Sequence, residues 1–303
     1  MDIALTTQAL TKKYGETVAV DELDLTVTKG EIFGLVGPDG AGKTTVLRML
    51  STAILPDGGS AKVAGFDVAS EAKEVKLRIG YMPQRFSLYG DLTVSENIDF
   101  FADLYQVPEE TAAQRKVELL QANNLQDFTH RPAEQLSGGM KKKLALTCTL
   151  VHTPEILILD EPTTGVDPLS RREFWKILHS LTPRVTIVIS TPYMDEAERC
   201  SRIGLMNKGR LALVDRPKEI LNKFPNEIIE IKCDCLRASK ELLKGFPGVL
   251  DINVFGDSLR LYVASAAAVK SALEDFIRQN NFNVFSIAQA RPRLEDVFLS
   301  LLR

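Results

Sequence analysis

The chain is 303 residues long, 45% hydrophobic and 25% charged, with a formal net charge of −3 at pH 7. Those figures fit a soluble globular protein of about two domains and exclude a chain that holds nucleic acid by bulk positive charge. No uncharged stretch approaches the ~18–20 apolar residues a membrane span requires, and the N-terminal MDIALTTQAL, acidic at position 2, does not read as a signal peptide.

Residues 3–36 read as a run of short strands, IALTTQAL, VAVDELDLTV and EIFGLVG. GPDGAGKT (37–44) follows, fitting G-x-x-x-x-G-K-[ST] between a strand and a helix. There, glycines let the backbone curl until its N–H groups face phosphate oxygens, and the helix N-terminus adds its positive end. The candidate nucleotide loop is Gly37, Pro38, Asp39, Gly40, Ala41, Gly42, Lys43 and Thr44, with Thr45 beside it. Lys43 can reach the β- and γ-phosphates, and the Thr44 hydroxyl can bind Mg²⁺.

Between 43 and 223 strands alternate with helices, which predicts an α/β core around a mostly parallel sheet. The stretch from about 92 to 152 interrupts the rhythm. TVSENIDFFADLY and SGGMKKKLALTCTLV carry helical patterns, so a helical subdomain is expected there. Within it, LSGGM (136–140) is a second phosphate cradle: Ser137 can cap the helix, and Gly138 and Gly139 expose N–H groups. A second cradle beside a complete loop suggests a nucleotide shared between two subunits.

ILILDEP (156–162) reads as a buried strand with Asp160 emerging at its carboxyl end, placed for Mg²⁺. Glu161 follows as the candidate to polarise an attacking water. PLSRREFWKILHSL (168–181) reads as a helix with Phe174 and Trp175 in the core. VTIVIS (185–190) is a further buried strand, and STPYMDEAE (190–198) runs from its end into a polar helix. Pro192 therefore falls at the crevice where α/β proteins bind ligands.

Past Phe224-Pro225-Asn226 the pattern becomes strand (EIIEIKCDC), helix (RASKELLKGF), two strands (VLDINVF and SLRLYV), helix (AAAVKSALEDFIRQ), strand (NVFSIAQA) and a closing helix (LEDVFLSLL). That β-α-β-β-α-β order is the ferredoxin-like plan. Two domains are expected, 1–224 and 225–303. Cys233 and Cys235 would share one face of a regular strand, and reduced thiols are expected rather than a zinc site. Lys141–Lys143 reads as a solvated helix face.

In order and spacing, GPDGAGKT, YMPQ (81–84), LSGGM, ILILDEP, TTGVDP (163–168) and STPYMDEAE resemble the nucleotide-binding subunit of an ABC transporter over roughly residues 3–223. The tail ending in RPRLEDVFLSLL resembles the accessory domain of ABC-2-type drug-export ATPases. The resemblance implies an α/β P-loop NTPase core of the ABC type with an N-terminal antiparallel β-subdomain and a helical insert, then a small α+β ferredoxin-like domain. It implies ATP and Mg²⁺ as ligands, and ATP hydrolysis coupled to export across a membrane.

Under the same resemblance, Tyr14 matches the aromatic that stacks on adenine; a strand-end tyrosine packed on the sheet is the alternative. Gln84 matches the glutamine that senses Mg²⁺ and the γ-phosphate. RFSLYGDLTVSEN (85–97) corresponds to the surface that receives a membrane subunit's coupling helix. Ser137, Gly138 and Gly139 would bind the γ-phosphate of the opposing subunit's ATP, and Asp167 would organise the dimer seam. The implied partners are a second ABC subunit, in a homo- or heterodimer, and a separate integral-membrane permease of ABC-2 type, with no nucleic acid. The implied location is cytoplasmic, peripheral on the membrane through that permease.

Three residues depart from the family pattern. Asp39 replaces an asparagine and is expected to point outward; Met140 replaces a glutamine and is expected to be tolerated. Pro192 replaces a histidine that contacts the γ-phosphate. A proline has no such donor, and losing one preorganised donor costs about a hundredfold to a thousandfold in rate. ATP binding is therefore expected intact and hydrolysis slow. Two other readings stay open, a non-catalytic nucleotide-binding regulator and a soluble ABC protein outside transport. The second is opposed by a single P-loop and by the ~50 residues between Gln84 and Leu136, too few for a long coiled coil.

Overall fold

The computed structural model describes residues 2–85, 88–280 and 283–301. It divides into two units, Met1–Pro217 and Lys218–Arg303, a division that falls ahead of the break read at Phe224.

In chain order the first unit runs β1 (Ile3–Tyr14), β2 (Thr17–Thr28), β3 (Ile32–Val36), α1 (Lys43–Leu50), β4 (Gly58–Val63), β5 (Phe66–Asp67), α2 (Ala72–Arg78) and β6 (Ile79–Met82). The helical subdomain follows as α3 (Val94–Leu104), α4 (Glu109–Ala122) and α5 (Gly138–Leu150). The chain then returns through β7 (Ile156–Asp160), α6 (Pro168–Leu181), β8 (Thr186–Thr191), α7 (Met194–Ala197), β9 (Arg202–Asn207) and β10 (Arg210–Asp215).

Two sheets result. One is antiparallel in the order β2-β1-β4-β5, and the other has the order β10-β9-β3-β8-β7-β6. In the second, all neighbours are parallel except the edge hairpin β9–β10. A parallel sheet is covered on both faces, so its strands are apolar throughout; every residue of β3, β7 and β8 is buried. Leu47 and Met49 of α1 share one buried cluster with Leu5 and Leu23 of the antiparallel sheet and with Phe33, Ile158 and Val188 of the parallel one. The helix that follows the phosphate loop is thus held firmly by apolar packing.

The helical subdomain has its own core around Val94, Ile98, Leu120, Leu144 and Cys148. Thr93 and Glu96 form a capping box at the start of α3. Asn97 is wholly buried there and donates to the carbonyls of Tyr89, Leu92 and Thr93 while accepting from the Tyr89 N–H. One amide side chain thereby anchors the loop between Gln84 and the helices. Phe174 and Trp175 are buried as expected.

The second unit follows α8 (Pro217–Asn222) with β11 (Glu227–Cys233), α9 (Leu236–Leu243), β12 (Val249–Phe255), β13 (Ser258–Val263), α10 (Ala266–Gln279), β14 (Val284–Ala290) and α11 (Leu294–Leu301). Its sheet is antiparallel in the order β12-β13-β11-β14, the ferredoxin-like arrangement. Ile229, Ile231 and Leu261 pack with Leu243 of α9 and Leu273 of α10 in one core. Leu302, the last residue of the expected closing helix, lies outside the described residues.

Two expectations are corrected. Cys235 does not share a strand face with Cys233, because β11 ends at Cys233; Cys233 is buried and Cys235 exposed. Nor is Lys141–Lys143 a solvated face: Lys143 is buried and paired with Glu173 at 2.5 Å, and Lys142 reaches the Gln84 carbonyl at 3.4 Å. Helix α5 is packed nearly all round, so polarity in its sequence does not report exposure.

On the sheet face that carries Glu230, the second unit holds a charged core. Arg260 and Asp296 are both fully buried and joined by two hydrogen bonds of 2.9 Å. Arg260 also donates to Glu230 (2.8 Å) and to the Arg291 carbonyl (2.7 Å), and the Tyr262 hydroxyl donates to Asp296 (2.7 Å). These bonds fasten α11 to β13. Asp296→Ala leaves Arg260 buried without its principal counter-charge, which costs about 3–5 kcal/mol. The urea midpoint of the second unit should fall accordingly, and an unchanged midpoint would refute the fastening role.

Candidate nucleotide site

The site lies where three adjacent parallel strands end. Val36 of β3 pairs with Thr191 of β8, and Ser190 of β8 pairs with Asp160 of β7. The phosphate loop, the Pro192 segment and Asp160–Glu161 therefore leave the sheet along one edge, where open α/β sheets bind ligands. A cavity of about 380 Å³ at that edge is lined by Tyr14, Ala19, Asp39 to Thr45, Gln84 and Glu161. Gly42 takes φ +101° just before α1, and a Cβ there would lie 2.3 Å from the Ala19 carbonyl oxygen. Only glycine fits that close, left-handed turn.

Lys43 is 4% exposed and donates to the carbonyls of Gly37 (2.8 Å) and Pro38 (3.0 Å). Its ammonium lies 3.6 Å from Glu161 Oε1. Asp160 is 1% exposed; its Oδ1 accepts from the hydroxyls of Thr44 (3.1 Å) and Ser190 (2.6 Å). Its Oδ2 is buried with no hydrogen-bond partner. An orphaned buried carboxylate oxygen is costly. Beside a threonine hydroxyl, it suits a hard divalent cation that completes its shell with phosphate oxygens and water. Among the described residues no cluster of three or more His, Cys, Asp or Glu could hold a metal, so a cation beside Asp160 would need ligands from outside the chain. The residues present fit Mg²⁺.

Glu161 takes φ +46°, a strained backbone for a non-glycine residue that costs on the order of 1–3 kcal/mol. Its N–H donates to the Ser190 hydroxyl at 2.9 Å. Its Oε2 accepts from Gln84 Nε2 (3.0 Å) and the Thr164 hydroxyl (3.3 Å). Glutamine and glutamate, 77 residues apart, thus meet directly.

The remaining expected residues are placed as follows. Tyr14 ends β1 and stands half exposed at the cavity rim. Asp39 lies exposed on the loop. Ser137 caps α5 by accepting from the Met140 N–H at 3.3 Å, and Met140 is accommodated there. Asp167 caps α6; the Ser170 bond first, then that of Leu169, holds its carboxyl below the usual carboxylate range. Ser137, Gly139 and Asp167 do not line the cavity that holds Lys43. Gly138 instead borders a second cavity of about 510 Å³ with Gln84, Lys142 and Thr164. Burial pulls the Lys142 ammonium below its usual range while Glu161 and Asp160 pull it upward. Of the loop 85–97, Phe86 and Ser87 lie outside the described residues.

Pro192 follows β8 and is absent from the cavity lining. Sequence reasoning passed over Ser190, which donates to Asp160, and Thr163 and Thr191, which both donate to Glu196. The available signal was a run of polar residues closing an otherwise apolar strand, where solvation alone would not place them.

A family model described as ABC transporter matches residues 20–164, and one described as ATP-binding protein DrrA1-3-like, C-terminal domain, matches 216–302. The chain is 42% identical to the probable multidrug ABC transporter ATP-binding protein YbhF of Escherichia coli, over 99% of this chain and 52% of that protein. It is 34% identical to the Nod factor export ATP-binding protein I of Ralstonia nicotianae (98% and 93%) and 35% identical to the daunorubicin resistance ATP-binding protein DrrA2 of Streptomyces coeruleorubidus (98% and 94%). It therefore spans about half the length of YbhF and nearly all of the other two. Among solved structures, the dimeric ATP-binding cassette MJ0796 bound to ADP and Pi aligns with a TM-score of 0.64 at 25% identity, over 70% of this chain and 98% of that one. With one family model spanning the phosphate loop and the carboxylate pair, another spanning the tail, and full-length relatives at 34–35% identity, the chain belongs to the ATP-binding proteins of the ABC transporter family and carries a DrrA-like C-terminal domain.

Proposed function

We propose that the chain binds Mg·ATP at residues 39–45, closes with a second ABC subunit around two nucleotides, and hydrolyses them to drive export through a separate integral-membrane permease of ABC-2 type. The observation that carries this reading is the meeting of Lys43, Thr44, Gln84, Asp160 and Glu161 at one sheet edge. Phosphate oxygens entering the cavity compete with the Gly37 and Pro38 carbonyls for Lys43 and draw its ammonium away from Glu161. Glu161, still held by Gln84, is then placed to take a proton from the attacking water. Tyr14 offers its exposed ring to the adenine.

Thr44 and Asp160 would hold Mg²⁺, which neutralises charge on the β- and γ-phosphates. Ser137, Gly138 and Asp167 are exposed and do not line the cavity that holds Lys43, which suits contact with the opposing subunit's nucleotide and the dimer seam. The dimeric form of the MJ0796 cassette and the export named for the Nod factor and daunorubicin relatives support the partners. No helix among the described residues is long and apolar enough to cross a membrane. On this reading the chain sits on the cytoplasmic face of the membrane, held there by the permease.

Glu161→Gln should keep ATP affinity while lowering turnover by about 10²–10⁴-fold; a variant that hydrolyses at the native rate would remove Glu161 from its role. Pro192→His should raise turnover, by up to about 10²–10³-fold, through a restored donor, and a steady-state assay that finds no gain would show the proline is harmless. Chelation by EDTA should stop hydrolysis. A Mg²⁺ titration of Asp160→Asn should shift the half-activating concentration upward, and an unmoved curve would take Asp160 out of the cation site.

A further inference from the structure

Glu196 lies on α7, four residues beyond Pro192, and is wholly buried. Its Oε1 accepts from the Thr163 hydroxyl at 2.5 Å and its Oε2 from the Thr191 hydroxyl at 2.7 Å. Both threonines are buried too. Arg171 Nε on α6 lies 3.5 Å from Oε1, and its guanidinium sits 4.4 Å from the centroid of the Tyr193 ring. Thr163 is two residues past Glu161, and Thr191 directly precedes Pro192. The Arg171 N–H donates to the Asp167 carbonyl at 2.9 Å.

One carboxylate therefore gathers the turn that carries Glu161, the end of β8 and the first turns of α6. Burying a charge is tolerated only where partners satisfy it, and none of these partners lines the cavity that holds Lys43. Glu161, for its part, keeps its left-handed backbone only because its surroundings over-determine it. Ser190 secures that turn at the Glu161 N–H, while Glu196 secures it two residues on, through Thr163.

We propose that Glu196 is a positioning residue for hydrolysis, fixing the Glu161 turn through the Thr163 hydroxyl and clamping the Pro192 segment that has no donor for phosphate. The inference rests on the reading of Glu161 as the residue that activates water. Glu196 touches neither nucleotide nor water itself. Its effect belongs in the rate of the chemical step rather than in ATP affinity.

The test uses the full chain with Thr163→Val, which removes the hydroxyl at constant shape, Thr163→Ser, which keeps it, Glu196→Gln, and the Glu196→Gln/Thr163→Val pair. ATP binding, thermal unfolding, and turnover under both steady-state and single-turnover conditions are measured for each. Thr163→Val should lower kcat by about 10–100-fold, the scale of a small misplacement of a reacting group, with KM and Kd for ATP within about threefold of native. Thr163→Ser should restore most of the rate. The double variant should be no slower than the worse single one, because both act along one path. Native-like turnover by Thr163→Val, a loss confined to ATP affinity, or multiplying losses in the pair would each overturn the proposal. Glu161→Gln is run alongside. Native turnover there brings down the assignment of Glu161 and this inference with it, whereas an inert Glu161→Gln beside a native-like Thr163→Val brings down the inference alone.

Discussion

At the strand ends of the first unit, three segments are joined through a single buried oxygen. Asp160 Oδ1 accepts from Thr44, 116 residues away, and from Ser190, 30 residues away, so it joins the helix after β3 to the ends of β7 and β8. A carboxylate this deeply buried survives because two hydroxyls share one oxygen. The parallel sheet makes the meeting possible, since each crossover returns the chain in the same direction and brings successive strand ends to one edge. With one oxygen saturated, the other is left as the acceptor on which a cation can be seated.

On the proposed reading, ligand binding changes the pairing of the charges beside it. Lys43 and Glu161 are nearly buried and lie close enough to neutralise each other, and Lys43 also fills its hydrogen bonds with loop carbonyls. Those carbonyl bonds are weaker competitors for an ammonium than phosphate oxygens, because a carbonyl offers it a dipole where a phosphate offers a full opposite charge. Glu161 meanwhile stays in a strained turn that its neighbours keep fixed. The strand end before Pro192 is packed with hydroxyls around a buried glutamate, so that segment is held by the protein's interior.

The second unit shows the same economy with a different device. The face covered by α9 and α10 is apolar, as alternation along β11 and β13 requires, but the opposite face places Arg260 under α11. There, specificity of docking comes from geometry: a planar guanidinium matched to a carboxylate admits one orientation of the last helix. Hydrophobic contact alone would let α11 slide.

Much of this was legible beforehand, for identifiable reasons. Helices 168–181 and 266–279 carry a period set by local geometry, and ILILD is too short and apolar for anything but a buried strand beside them, so the one-dimensional pattern suffices. The phosphate loop was readable because its glycines serve backbone conformations that no other residue permits. Gln84 and Tyr14 entered only through family resemblance, since nothing local marks a glutamine that will meet a glutamate 77 residues on. Lys142 and Lys143 were misread because burial of a long side chain depends on what packs against its helix. The Glu196 clamp and the Arg260 pair were not visible at all. The sequence by itself determined the elements, their order and the phosphate loop, because those follow from contacts within a few residues. Tertiary structure alone decided which carboxylate oxygen stays open, which lysines are buried and what holds the Pro192 segment, because each is settled by groups that become neighbours only when the sheet closes.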